Sequence, residues 1–368
     1  MKRTTLGRAL ALPAAAALTF GLVACGSANE SGNSGQPSGG EGQGLSGTIS
    51  GAGASSQQAA QQAWQNGFIA KNAGATVNYD PIGSGGGREQ FINGGSDFGG
   101  TDAYLDEEEL AKVKQRCGDL VEVPVYVSPI AVIFKLDGVN ELNLKPATIA
   151  KIFNQQIKTW NDPAIAADNP GVQLPNTPIT PVNRSDESGT TENFVEYLKA
   201  TAAADWPHEV SGDWAVPGGE AAQGTSGVVQ AVTNGNGTIG YADASQARQL
   251  STVKVGVGDK YVAYSPEAAA AVLDVSQRHE ERGQYTFAYD LARDTTAEGT
   301  YPIVLVSYGI ACTTYQDANK ANLVKAYFNY IISTEGQQAA AQAAGSAPIS
   351  DALRQQIQPA VNAISAAR

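Results

Sequence analysis

Arg184-Ser185-Asp186-Glu187-Ser188-Gly189-Thr190 decides how this chain is read. The stretch joins a strand expected over 178–183 to a helix expected over 191–200. Ser188 and Thr190 supply hydroxyl donors there. The free N–H groups of a first helical turn, with the peptide dipoles aligned behind them, attract anions at the same point. Arg184 adds a planar fork suited to tetrahedral oxyanions. An ordinary helix cap beside a surface Arg–Asp pair has the same sequence, so the stretch needs support from elsewhere in the chain.

Support comes from two upstream segments of the same design, in which a strand leads through small residues and hydroxyls into a helix. They are Gly53-Ala54-Ser55-Ser56 and Gly83-Ser84-Gly85-Gly86-Gly87. Glycines let backbone amides approach a ligand, and serines orient a donor toward it. In parallel α/β sheets such loops converge at the carboxyl ends of the strands. Asp102, after the strand-like Asp97-Phe98-Gly99, is the odd member. A carboxylate repels an anion unless the ligand brings a proton to donate. Phosphate carries one near neutral pH and sulfate does not, so Asp102 in the cradle would separate the two. Taken alone, Asp102 also fits a helix cap or turn.

Outward from these loops, strands and helices alternate to the end of the chain. Helices are expected over 55–71, 106–115, 148–153, 191–200, 226–233, 266–272, 317–332 and 334–344. In the first, Ala60, Trp64 and Phe68 share one face. Strands are expected over 48–50, 76–79, 121–127, 130–135, 178–183, 238–241, 253–257 and 303–311, with a glycine loop over 83–87 and a helix starting at 88. The alternation predicts an α/β architecture with mostly parallel sheets.

The chain has 368 residues, room for two domains, and 24 Lys plus Arg against 36 Asp plus Glu. Such an acidic chain, with no basic cluster among aromatics, predicts no nucleic-acid partner. An anion must be caught by local dipoles and one or two cations. Lys2, Arg3 and Arg8 precede a short apolar run that ends Leu22-Val23-Ala24-Cys25, the order of an export signal over 1–24. The last four residues resemble a bacterial lipobox, in which Cys25 becomes the acylated first residue. Residues 26–44 are rich in Gly, Ser, Asn and Gln and read as a flexible tether. Cys117 and Cys312 then remain, an even pair in an oxidising compartment; they form a disulfide or stay as two buried thiols.

With these motifs in place, the chain resembles the phosphate-binding proteins that serve phosphate-specific ABC importers. The likeness runs from Gly51-Ala52-Gly53-Ala54 to Ala347-Pro348. It includes Val77-Asn78-Tyr79, Ile82 with the glycine loop, Asp97-Phe98-Gly99-Gly100-Thr101-Asp102, the Arg184–Thr190 stretch and Gly237-Thr238-Ile239-Gly240-Tyr241. The resemblance implies a two-domain periplasmic-binding-protein fold of type II with a two-crossover hinge, near 124–127 and 301–303. Domain one would be 46–126 plus 302–368, and domain two 127–301, after the signal (1–24) and the lipidated Cys25 with its tether (25–45). The phosphate cradle would fall on Ser55, Ser56, Ser84, Asp102, Arg184, Ser188, Gly189 and Thr190, with Asp186 orienting the arginine. Cys117 and Cys312 would both sit in domain one. Implied partners are inorganic phosphate, ABC permease subunits and membrane lipid held through palmitate on Cys25, which places the protein on the outer face of a bacterial cell membrane. Two departures stand out. Ser56 replaces an aromatic wall common in the family, and Glu187 replaces a common glycine and is expected to point outward.

Rival classes are a binding protein for another oxyanion and a phosphate-ester hydrolase. His208 and His279 are the only histidines, and neither a P-loop lysine nor a Gly-x-Ser-x-Gly elbow occurs. The sequence therefore predicts no enzyme, no catalytic residue, no metal ligand and no cofactor. Trp160 is expected in the core.

Overall fold

The computed structural model describes residues 44–247 and 249–368. The export signal, Cys25 and the tether up to residue 43 lie outside the described residues.

β1 (Ser46–Gly53) runs parallel to β2 (Gly74–Asp80) on one side and β3 (Phe98–Thr101) on the other. α1 (Gln58–Lys71), α2 (Ser84–Ile92) and α3 (Glu107–Cys117) connect and follow them. A 3-10 turn, Ser55–Gln57, precedes α1. The 83–87 segment differs from its expected loop: Ser84 and its three glycines already form the first turn of α2. Close packing explains this. A Cβ on Gly87 would lie 2.2 Å from the Gly53 Cα, so α2 can sit on β1 only with glycine there.

β4 (Leu120–Lys135) spans both runs that the sequence separates at 127–130, and all but its last residue are buried. Covered on both faces, it reads as a continuous apolar string instead of an alternating one. Proline cannot donate to a ladder and is tolerated where pairing is irregular. Pro124 lies opposite Tyr308, next to a shift in register at which β4 carries one extra residue, Val125. Pro129 ends one ladder, and Ile130 begins another with a different strand.

Beyond it come β5 (Leu142–Leu144), α4 (Pro146–Phe153), α5 (Pro163–Asp168), β6 (Thr180–Arg184), α6 (Gly189–Ala202), β7 (Glu220–Ala222), α7 (Gly224–Asn234), β8 (Thr238–Asp243), β9 (Ser251–Val257), β10 (Lys260–Val262) and α8 (Pro266–Leu273). β8 runs antiparallel to β4 and parallel to β6, which is parallel to β7. Trp160 is buried against Phe134 and donates to the Gly237 carbonyl at 3.1 Å, a core residue as expected.

The chain then returns through the short hairpin of β11 (Gln277–Arg278) and β12 (Tyr289–Asp290) to β13 (Val304–Cys312), which inserts antiparallel between β3 and β4. β14 (Thr314–Tyr315), α9 (Ala318–Ile332), α10 (Thr334–Ala344), α11 (Asp351–Ala363) and β15 (Ser365–Ala366) complete it. The main sheet has the order β2-β1-β3-β13-β4-β8-β6-β7. Its flanks are parallel, and the two strands that carry the chain across its middle are antiparallel to their neighbours. Cys117 and Cys312 form a disulfide with a Cα–Cα distance of 4.7 Å. No described helix is long and apolar enough to cross a membrane.

Candidate anion-binding site

Each hydroxyl loop sits where a strand ends and a helix begins. Ser55 and Ser56 follow β1, Ser84 opens α2, and Ser188 caps α6 ahead of Gly189 and Thr190. Asp102 follows β3 directly, and Arg184 ends β6. Ser55, Ser56, Ser84, Asp102, Arg184, Ser188 and Thr190 are all buried. The close fit around Gly189 shows how tightly the loops meet: a Cβ there would lie 2.8 Å from both the Ala103 nitrogen and the Ser84 Oγ.

Asp102 is the hub. Its Oδ2 accepts from the Ser56 hydroxyl at 2.6 Å and from the Thr190 hydroxyl at 2.9 Å. Its Oδ1 accepts from Ser307 at 2.7 Å, and its backbone N–H donates to the Ser84 Oγ at 3.2 Å. Burial pushes the Asp102 carboxyl above its ordinary range, while the hydroxyls of Ser56, Ser307 and Thr190 and the charge of Arg184 pull it back. Ser56, where an aromatic wall is common in the resembled family, therefore spends its hydroxyl on this carboxylate.

Arg184 is held by its near neighbour. Its Nε donates to the Asp186 Oδ1 at 2.8 Å, and its Nη2 pairs with Oδ2, giving a two-point fork. Asp186 Oδ1 also accepts from the Gly224 N–H at 3.0 Å. Burial opposes ionisation of Asp186, but Arg184 and that N–H outweigh it and hold the carboxyl below its usual range. The Ser188 Oγ accepts from the Thr191 N–H at 3.2 Å and so caps α6.

The structure adds groups that sequence reasoning missed. Thr225, in the first turn of α7, lies 3.0 Å from the Ser55 Oγ through both its hydroxyl and its N–H. Gly224-Thr225-Ser226 repeats the glycine–hydroxyl helix opening and could have been found on that pattern. Ser307, inside an apolar strand, has no such signature. Glu187 does not simply point outward: its Oε1 reaches the Arg88 Nη2 at 2.6 Å, and Arg88 also holds Glu109 at 2.9 Å. Glu192, in the first turn of α6, is pushed up to about 7 by burial. Among the described residues no cluster of His, Cys, Asp and Glu could hold a metal ion.

The mixed α/β fold that carries these loops is that of the two-domain binding-protein class, and residues 34–335 match the PBP superfamily domain. The phosphate-binding protein PstS 3 of Mycobacterium leprae is 37% identical over 379 residues, covering 99% of this chain and 100% of that one. PstS 3 of Mycobacterium tuberculosis is 35% identical over 378 residues, with 99% and 100% covered. The chain belongs to this PstS family of phosphate-binding proteins. The fold agrees with a phosphate-binding protein from Stenotrophomonas maltophilia, with a TM-score of 0.67 at 17% identity over 85% of this chain and 94% of that one.

Proposed function

We propose that this chain binds inorganic phosphate in the cleft between its two domains and delivers it to an ABC permease. One observation carries the reading: a buried carboxylate, Asp102, lies in the field of the Arg184 charge and accepts from the hydroxyls of Ser56, Thr190 and Ser307, which come from separate segments of the chain. A cradle of donors suits an anion, and a single acceptor among them suits an anion that still bears a proton. The ligand contacts fall on Ser55, Ser56, Ser84, Asp102, Arg184, Ser188, Gly189 and Thr190, with Asp186 orienting the arginine. The relatives named PstS support the same ligand.

The domains are 46–126 with 302–368, and 127–301. The exchange of β4 neighbours between Pro129 and Ile130 supports a boundary in this region. The protein is a carrier and not a catalyst, exported and held on the outer face of the cell membrane by acyl chains on Cys25. Stable anchoring by two or more chains follows from about 0.8 kcal/mol per buried methylene.

Titration calorimetry of the full chain with phosphate, arsenate and sulfate tests the ligand. Phosphate should bind tightest and sulfate should be excluded; equal binding of sulfate would show that another oxyanion protein has been found. Turnover of a phosphate ester would mark the hydrolase alternative. For the anchor, Cys25→Ala should move the protein out of the detergent phase.

A further inference from the structure

We propose that Gln57, Gln61 and Ser307 are positioning residues that commit Asp102 to accepting, through a one-way run of hydrogen bonds that starts at Tyr327 and ends on the Asp102 Oδ1. The inference rests on the phosphate reading and gives it a device for selecting a protonated oxyanion.

The direction of each link is determined by its neighbours. The Gln57 Nε2 donates to the Tyr308 backbone carbonyl at 2.9 Å, and a carbonyl can only accept. That contact fixes which end of the Gln57 amide is nitrogen. Its other hydrogen points to the Ser307 Oγ at 2.8 Å. Ser307 is thus the acceptor from Gln57, and its own hydrogen goes to the Asp102 Oδ1 at 2.7 Å. On the far side, the Gln57 Oε1 accepts from the Gln61 Nε2 at 2.8 Å, and the Gln61 Oε1 accepts from the Tyr327 hydroxyl at 2.8 Å.

All five side chains are buried, so no bulk water offers an alternative partner. A buried polar network is stable only when every member is satisfied, so turning one link over would strand its neighbours. The backbone is shaped to admit the run. Gln57 and Gln61 stand one helical turn apart, and the shift in the β13–β4 register falls between Ser307 and Tyr308, the two residues that take the hydrogens of Gln57. A Cβ on Gly100 would lie 2.5 Å from the Gln57 Oε1, so the amide needs glycine there.

Ser56 and Thr190 differ from Ser307, because among the described residues no side-chain amide donates to their hydroxyls and holds them on Asp102; Ser56 has beside it the Tyr126 hydroxyl, which can donate or accept. They can turn to a ligand while Ser307 cannot release the carboxylate. An oxyanion oxygen with a hydrogen then finds an acceptor beside it. One without a hydrogen finds only negative charge.

The test compares phosphate and sulfate affinities of the full chain by competition calorimetry, with melting curves to show that each variant folds. Gln57→Met keeps length and removes the amide, leaving the Ser307 hydroxyl free to turn and accept from a protonated Asp102. Its preference for phosphate over sulfate should fall by about tenfold or more, equivalent to about 1.4 kcal/mol. Ser307→Ala should lose preference in the same way, and Ser307→Thr, which keeps the hydroxyl, should restore it; this pair decides the matter if Gln57→Met does not fold. If wild type discriminates and both Gln57→Met and Ser307→Ala keep the same ratio while merely weakening both ions, the relay is wrong and the phosphate reading survives. If wild type binds sulfate as well as phosphate, the reading itself fails and takes the relay with it.

Discussion

The Nη2 of Arg88, in α2, and the Oε1 of Glu187, just before α6, lie 2.6 Å apart and tie α2 to the loop that opens α6. The Arg88 side chain is only 7% exposed and is also held by Glu109, whereas that of Glu187 is 44% exposed. Solvent reaches the acid, so the pair is worth no more than about 1 kcal/mol. Glu187→Gly should therefore raise the rate of phosphate release by about two- to fivefold, within that limit. Stopped-flow release measures it. An unchanged or slower release would mean that Glu187 acts on the ligand mainly as a repulsive charge.

Arg184 and Asp186 should behave as a unit. Truncating a charged, hydrogen-bonded partner in a buried site costs roughly 2–5 kcal/mol, and Arg184→Ala should lose that much phosphate affinity. Arg184→Lys should recover only part, because an ammonium cannot reproduce the fork that Asp186 holds through Nε and Nη2. Asp186→Asn keeps the shape and one acceptor, so its loss should be smaller. Calorimetry on the three variants checks the order, and an Arg184→Ala protein within a few-fold of wild type would remove the arginine from the site.

How legible these parts were depended on distance along the chain. Arg184 and Asp186 are two residues apart, and their pairing belongs to one turn that a local reading can see. Gln57 and Ser307 are 250 residues apart, and only the fold brings them together. The glycines at 85–87 suggested a loop because flexible glycine and close-packed glycine look alike in sequence; their place in α2 depends on how closely β1 lies beneath. Proline had the same ambiguity. The break expected at 127–130 falls on Pro129, inside β4, and α11, which has no counterpart among the expected helices, carries Pro359 internally. The alternation of strands and helices was legible in the longer segments, such as α1 with Ala60, Trp64 and Phe68 on one face, because burial of that face imposes its period.

Asp243 gives the fold a pH dependence. It is fully buried, and burial raises its carboxyl from 3.8 to about 6. A raised value means that the folded state holds the proton more tightly than the unfolded state does. The contribution is complete below 3.8 and is lost as pH rises through about 6. Asp243→Asn removes this titration, so the variant should lose less stability than wild type between about pH 4 and pH 7. Urea midpoints at several pH values measure the slope; a variant with the wild-type slope would show that Asp243 does not titrate in this window.

The disulfide should support stability without touching affinity. Cys117 ends α3 and Cys312 ends β13, and Cys312 lies opposite Leu120 at the start of β4, so both anchors belong to the same end of the sheet. The bridge closes a loop with a sequence separation of 195 residues, and chain-entropy arguments give up to about 5 kcal/mol for so long a loop. It does not join the loops that face each other across Asp102, so it does not restrain their approach. The Cys117→Ala, Cys312→Ala double variant should therefore unfold at markedly lower denaturant while binding phosphate within about twofold of wild type, since distant sites add independently. Phosphate titrations and urea curves on the same samples separate the two effects. A large affinity loss at full folding would mean that the bridge restrains the cleft after all.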